Sequence, residues 1–276
     1  MTSRPLKLGF IPANRGFFSP VLARKMRAQT LEVMTQLGFQ AVVTGEDETS
    51  VGCVENRAEA LIAARKFREA DVDGIVIGAV NFGDEQAAAQ VLQAARLDVP
   101  VFIFGCQEEE TLTPKTSRRD SFCGLLSIGE ALRQIGVKYS VGRRPICFPQ
   151  DESFRQDLAW FGQVCRVVNG IRRARYGQVG ARPEAFWTCR FDEKKLQRLG
   201  PTTVVIDLSE IFAACAALTD EDPAVVDLAQ SIHAYADTSR VAEASILRSA
   251  KLVCSRVNDP QVWPIGITCT TTTMNW

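Results

Sequence analysis

Apolar positions in the first 105 residues alternate between two periods. Residues 6–11 form a short apolar run. Leu22, Met26, Val33 and Leu37 then fall on one helical face that stops at Gly38. The cycle repeats three times. Residues 39–44 read as a strand, with Leu61, Ala64 and Phe67 marking the helix that follows. Residues 74–78 read as a third strand, whose helix opens at Asp84 and runs to Leu97, and residues 99–104 read as a fourth. Strands with no polar alternation are buried on both faces, which requires helices on both sides of a parallel sheet. The predicted fold class is therefore α/β: two Rossmann-like, three-layer α/β/α domains with mostly parallel sheets.

A second cycle is expected after the turn-rich residues 139–145. The stretch 154–173 is helical by period, with Leu158, Phe161, Cys165, Val168 and Arg172 three or four apart, and it is read as a bridge between domains. Residues 175–180 read as a strand, 191–199 as a short helix, and 203–207 as a further strand entering a helix capped by Ser209. The predicted domains are 1–148 and 149–276. The last residues, 268–276, are threonine-rich and without period. They point to an altered or truncated carboxyl end, so the second domain is expected to be incomplete.

Composition narrows the function. With 276 residues, two cores are the natural expectation. Lys+Arg and Asp+Glu balance at 32 each, so no global field favours nucleic acid or anionic lipid. The amino terminus lacks a signal-peptide pattern and no run is long enough to span a membrane, so the chain is read as cytoplasmic. Nine cysteines without a C-x-x-C pair read as buried reduced thiols, and the only histidine, His233, as a helix-surface residue.

Open parallel sheets bind ligands at the carboxyl ends of their strands. Four loops are nominated: 12–16, 45–48, 79–84 and 105–108. They supply amides, carboxylates, a guanidinium and an aromatic face, a mixture suited to a polyhydroxylated ligand. The plain alternative is that Asn14, Gly16 and Gly83 make turns and Asp84 caps a helix. Arg118 and Arg119 either clamp an anion or pair with the acidic loops, and Asp120 or Ser121 caps the next helix. No G-x-G-x-x-G, P-loop or G-x-S-x-G pattern occurs, which argues against a dinucleotide enzyme, an ATPase and a serine hydrolase.

The segments GFIPANRG, VNFGDEQAA, RRDSFCGLL and ALRQIGVKYS, the block 161–191 and VVIDLSEIF resemble the first two domains of L-fucose/L-arabinose isomerase family proteins, over about residues 6–259. The resemblance implies interconversion of an aldose and a ketose through an ene-diol, assisted by a divalent metal, usually Mn²⁺. It implies a pentose or 6-deoxyhexose substrate and a homo-oligomer whose sites lie at subunit interfaces. By position it assigns sugar contacts to Arg15, Asn81 and Phe82, then to Arg182 and Glu184. The family's metal ligands fall late in the second domain and in a third. No metal or catalytic residue is therefore assigned here, and the chain alone is expected to bind no Mn²⁺ and to be inactive. The alternative is a non-catalytic sugar-binding or assembly protein built on the same scaffold.

Overall fold

The computed structural model describes residues 4–113, 115–182 and 184–257, and the threonine-rich segment 268–276 lies outside them. Among these residues the fold is α/β, and every strand pairing is parallel. The chain divides into two compact units, Met1–Asn169 and Gly170–Trp276.

The first unit is built from β1 (Lys7–Ala13), α1 (Pro20–Gln36), β2 (Gln40–Val42), α2 (Arg57–Ala70), β3 (Gly74–Ala79), α3 (Glu85–Ala95), β4 (Val101–Cys106), α4 (Ser121–Gln134), β5 (Ser140–Cys147) and α5 (Glu152–Arg172). Its sheet runs β2-β1-β3-β4-β5. Alternation along the buried strands sorts their side chains to two faces. Ile75, Ile77, Val101 and Ile103 meet Ala60, Ala64 and Phe67 of α2, Val91 of α3 and Leu125 and Ile128 of α4. Val76, Phe102 and Phe104 meet Met26 and Val33 of α1 and Phe154, Leu158 and Phe161 of α5. Close packing leaves little slack on that second face, where a β-carbon at Gly78 would press on the Phe104 ring at 2.8 Å.

Three local expectations change. Residues 139–145 were read as turns, yet Ser140–Cys147 is the edge strand β5. Its register with β4 shifts between Ile103 and Gly105, which leaves residues 142–145 opposite Phe104 alone. Arg143, Arg144 and Pro145 mask it, because an edge strand needs no apolar alternation and tolerates charge and proline. The helix expected to bridge the domains closes the core of the first unit with Phe154, Leu158, Phe161 and Cys165 and runs on to Arg172, past a division that falls at 169/170 where 148/149 was expected. Leu61, expected on the buried face of α2, is exposed, and the alanines beside it make that face.

The second unit holds β6 (Arg175–Val179), α6 (Glu193–Arg198), β7 (Thr202–Ile206), α7 (Leu208–Ala216), α8 (Pro223–Tyr235) and α9 (Glu243–Val257). Among its described residues the sheet has two strands, β6 and β7, paired from Arg175↔Thr202 to Val179↔Ile206. Val225 and Ala229 of α8 pack on Ile246, Ala250 and Cys254 of α9. Asp207, not Ser209, caps α7: its carboxylate accepts from the Ser209 amide at 2.8 Å while Glu210 closes a capping box. A side-chain acceptor two residues closer to the strand reaches the first-turn amides, which Ser209, already inside the helix, does not cap.

Candidate functional site

Strand order 2-1-3-4-5 reverses direction between β1 and β3, and at such a point the two following loops part to leave a crevice. Those loops carry Asn14 and Arg15 after β1, and Asn81, Phe82 and Gly83 after β3. The structure brings Arg15, Asn81 and Phe82 together there, in different situations.

Asn81 is fully buried. Its Oδ1 accepts from the amides of Arg15 and Gly83, each at 3.1 Å, and its Nδ2 donates to Asn14 Oδ1. It fastens one loop to the other. Gly83 takes a positive φ of 78°, and there the Arg15 Nε donates to its carbonyl at 3.0 Å. The same guanidinium donates to Glu85, lies 4.0 Å from Asp84, and sits 4.7 Å over the Phe82 ring. Asp84 also caps α3, accepting from Ala87 N at 2.7 Å. The Phe82 ring contacts Phe18 at 5.7 Å, and Phe18 contacts Phe17 at 5.0 Å. Phe17 is 81% exposed at the rim.

Glu55, which the sequence did not nominate, joins this cluster. An isolated parallel bridge, Ala13↔Val54, lays the residues after a short 3-10 turn alongside the end of β1, and Asn14 Nδ2 then donates to Glu55 Oε2 at 2.9 Å. Nothing local signals this, because the bridge is a tertiary pairing across about forty residues.

Arg182 and Glu184 belong to the second unit. Arg182 stacks 4.6 Å over Phe191 and pairs with Glu193 at 2.6 Å, while Glu184 is exposed.

At the far strand tips Arg119 is buried. Its side chain donates to the Gln107 carbonyl at 3.0 Å and to Glu109 at 2.8 Å, so the arginine read as a clamp or a partner for the acidic loops pairs with the acidic loop. The Arg119 guanidinium and then Lys25 hold the Glu109 carboxyl below the usual range. Three cysteines, Cys53, Cys106 and Cys147, lie in the core cluster beneath these tips. Burial pushes the Cys53 and Cys147 thiols up to about 12 and Cys106 higher still, which makes them poor nucleophiles. His233 bonds to Thr238 and Glu243 on the surface of α8.

The Mn²⁺ that the resemblance implies needs several converging oxygen or imidazole donors. Among the described residues no group of three or more His, Cys, Asp or Glu side chains is placed to hold a metal ion. The carboxylates at the switch point, Glu55, Asp84 and Glu85, are already bound to Asn14, Ala87 and Arg15. The described residues do not fit the ion. Among them no helix is long and apolar enough to cross a membrane.

The fold and the two bonded loops define an α/β domain that presents a mixed polar and aromatic surface at its switch point. The chain belongs to the fucose/sulfoquinovose isomerase family: the model of that family's N-terminal domain matches residues 9–172. No curated protein matches the sequence. A solved periplasmic solute-binding protein of an ABC transporter from Actinobacillus succinogenes, with D-allose bound, aligns at 9% identity and a TM-score of 0.25, covering 77% of this chain. The alignment spans 64% of that protein's length.

Proposed function

We propose that this chain is the sugar-binding, amino-terminal portion of an aldose–ketose isomerase and does not turn over substrate by itself. The observation that carries the reading is the cluster of Arg15 and Phe82 held at the switch point of a domain matched to the isomerase family. Arg15 supplies fixed donors to sugar hydroxyls, Phe82 offers its ring to a C–H face, and Asn81 positions both loops without touching sugar, because its side chain is consumed and buried. Ene-diol chemistry also needs a base at the transferring proton and stabilisation of the adjacent oxyanion, which in the family's metal-assisted reaction falls to carboxylates and Mn²⁺. The described carboxylates near Arg15 are already bound, so no metal-dependent step is derived from them.

A pentose or 6-deoxyhexose is the expected ligand. The exposed Phe17, linked to Phe82 through Phe18, supports closure of the site by a second subunit, and the eight free cysteines among the described residues support a reducing compartment such as the cytoplasm. A non-catalytic sugar-binding role is the second reading, favoured by the lack of a three-donor metal cluster among the described residues. Incubation of the purified chain with L-fucose or L-arabinose and Mn²⁺ tests the proposal. Saturable sugar binding without ketose formation is expected, and steady metal-dependent ketose formation contradicts it.

A further inference from the structure

Arg15 and Phe82 offer a sugar donors and a ring face, but a hydroxyl also has a proton to give. Glu55 is the group placed to take it. It stands just before Asn56, the N-cap of α2, and its backbone is pinned on both sides. Its amide donates to Oε2 of the buried Glu59 at 2.8 Å, the Val54 amide donates to the Pro12 carbonyl at 3.0 Å, and the Asn14 amide donates to the Val54 carbonyl at 3.0 Å. The side chain then crosses to the β1 loop. There Oε2 accepts from Asn14 Nδ2, and a β-carbon at Gly16 would stand 2.8 Å from it, so glycine leaves the carboxylate its room. Asn14 is 2% exposed and is bonded in turn to Asn81, which ties the carboxylate to the loop that carries Phe82.

Only one of its two oxygens is used. Among the described residues no group donates to Oε1, no cation pairs with Glu55, and Oε1 is not shut off from solvent. Arg15 does not compensate the charge, because its guanidinium is held by Glu85 and lies 4.0 Å from Asp84. One open carboxylate oxygen is too few to cage a metal ion. It suits a single hydroxyl, whose bond to an ionised acceptor is about twice as strong as one between neutral groups. An acceptor already fixed in place loses little freedom when the ligand arrives, and its uncompensated charge repels a second anion.

We propose that Glu55 is a specificity-determining residue of the switch-point site: its open oxygen accepts a hydrogen bond from a hydroxyl of an uncharged sugar, and its charge disfavours sugars that carry an anionic group. The proposal rests on the sugar-binding function given above and supplies that site with its acceptor. The charge balance of the two loops points the same way, since Arg15 stands against Asp84, Glu85 and Glu55.

The test is calorimetric titration of the full chain with L-fucose and with L-galacturonate, which share their ring stereochemistry and differ at C6 by a methyl against a carboxylate. It is repeated on Glu55→Gln and Glu55→Asp. Wild type is expected to bind L-fucose saturably and L-galacturonate about 10-fold more weakly. Glu55→Gln keeps the side-chain length and an oxygen for Asn14, so thermal stability should hold. It should weaken L-fucose about 10-fold while narrowing the gap between the two sugars. Glu55→Asp withdraws the oxygen by one methylene and keeps the charge, so it should weaken L-fucose and preserve the gap. A purely structural role would have Glu55→Gln lower both affinities together and leave their ratio unmoved. That result, or an L-fucose affinity that Glu55→Gln leaves intact, overturns the proposal while the sugar site stands. Absence of saturable binding of either sugar to wild type overturns the sugar site itself, and this acceptor with it.

Discussion

At the scale of single residues, the first unit separates groups that hold the crevice from groups that can face a ligand. Asn81 has its oxygen on two amides and its nitrogen on Asn14, so its work is internal, whereas Arg15 and Phe82 stay partly accessible. The sequence named all three from their place after a strand and could not tell these roles apart, because burial depends on loops that meet only in the folded chain. Asp120 is a second case. It occupies the N-cap of α4 at a φ of 53°, a left-handed conformation that its short polar side chain tolerates, and it turns its carboxylate to Cys123 instead of the helix amides. The negative charge of Asp120, with its bond to the thiol, pushes the exposed Cys123 thiol up from its ordinary range. Asp120→Asn should therefore lower that pKa and speed alkylation of Cys123 at neutral pH, read by mass spectrometry of the peptide containing it. An unchanged or slower rate would contradict the pairing.

At the scale of elements, glycine decides how α4 meets the β3 loop. A β-carbon at Gly124 would overlap the carbonyl of Phe82, which is backbone and cannot rotate aside. Gly124→Ala gains helix propensity of about 1 kcal/mol, yet must shift either α4 or the loop that carries Phe82, at a cost of about 1–3 kcal/mol or more. Net destabilisation is expected in denaturant titration, together with weaker sugar binding, and a stabilised variant would show that the contact relaxes freely. The buried strands β1, β3 and β4 were legible because their runs of Val, Ile and Phe admit one reading. The edge strand β5 was not, since half of it faces solvent and the shifted register interrupts its pairing. The cap of α7 shows a smaller version of the same limit: Asp207 and Ser209 are both good caps, and the backbone path chooses between them.

At the scale of the whole molecule, the first unit is a complete three-layer α/β domain, and the family match over residues 9–172 covers nearly all of it. The second unit carries a parallel pair of strands with its own helical core, and both strands were readable from the sequence at 175–180 and 203–207. The domain boundary could not be read from turn residues, because α5 is amphipathic whichever unit it serves. Its partners, Phe102 and Phe104, lie about fifty residues earlier in the chain. The proposed function rests on the first unit: the loops at the strand-order reversal and a guanidinium stacked on an aromatic ring.

The most direct measurement is equilibrium titration of the full chain with L-fucose and L-arabinose, with and without Mn²⁺, beside Phe82→Ala. Saturable binding that Mn²⁺ does not change, and that the variant weakens about 10-fold through loss of about 1.4 kcal/mol, is the predicted result. Failure of both sugars to saturate the chain, or an affinity that Phe82→Ala leaves intact, would contradict a sugar site at this switch point.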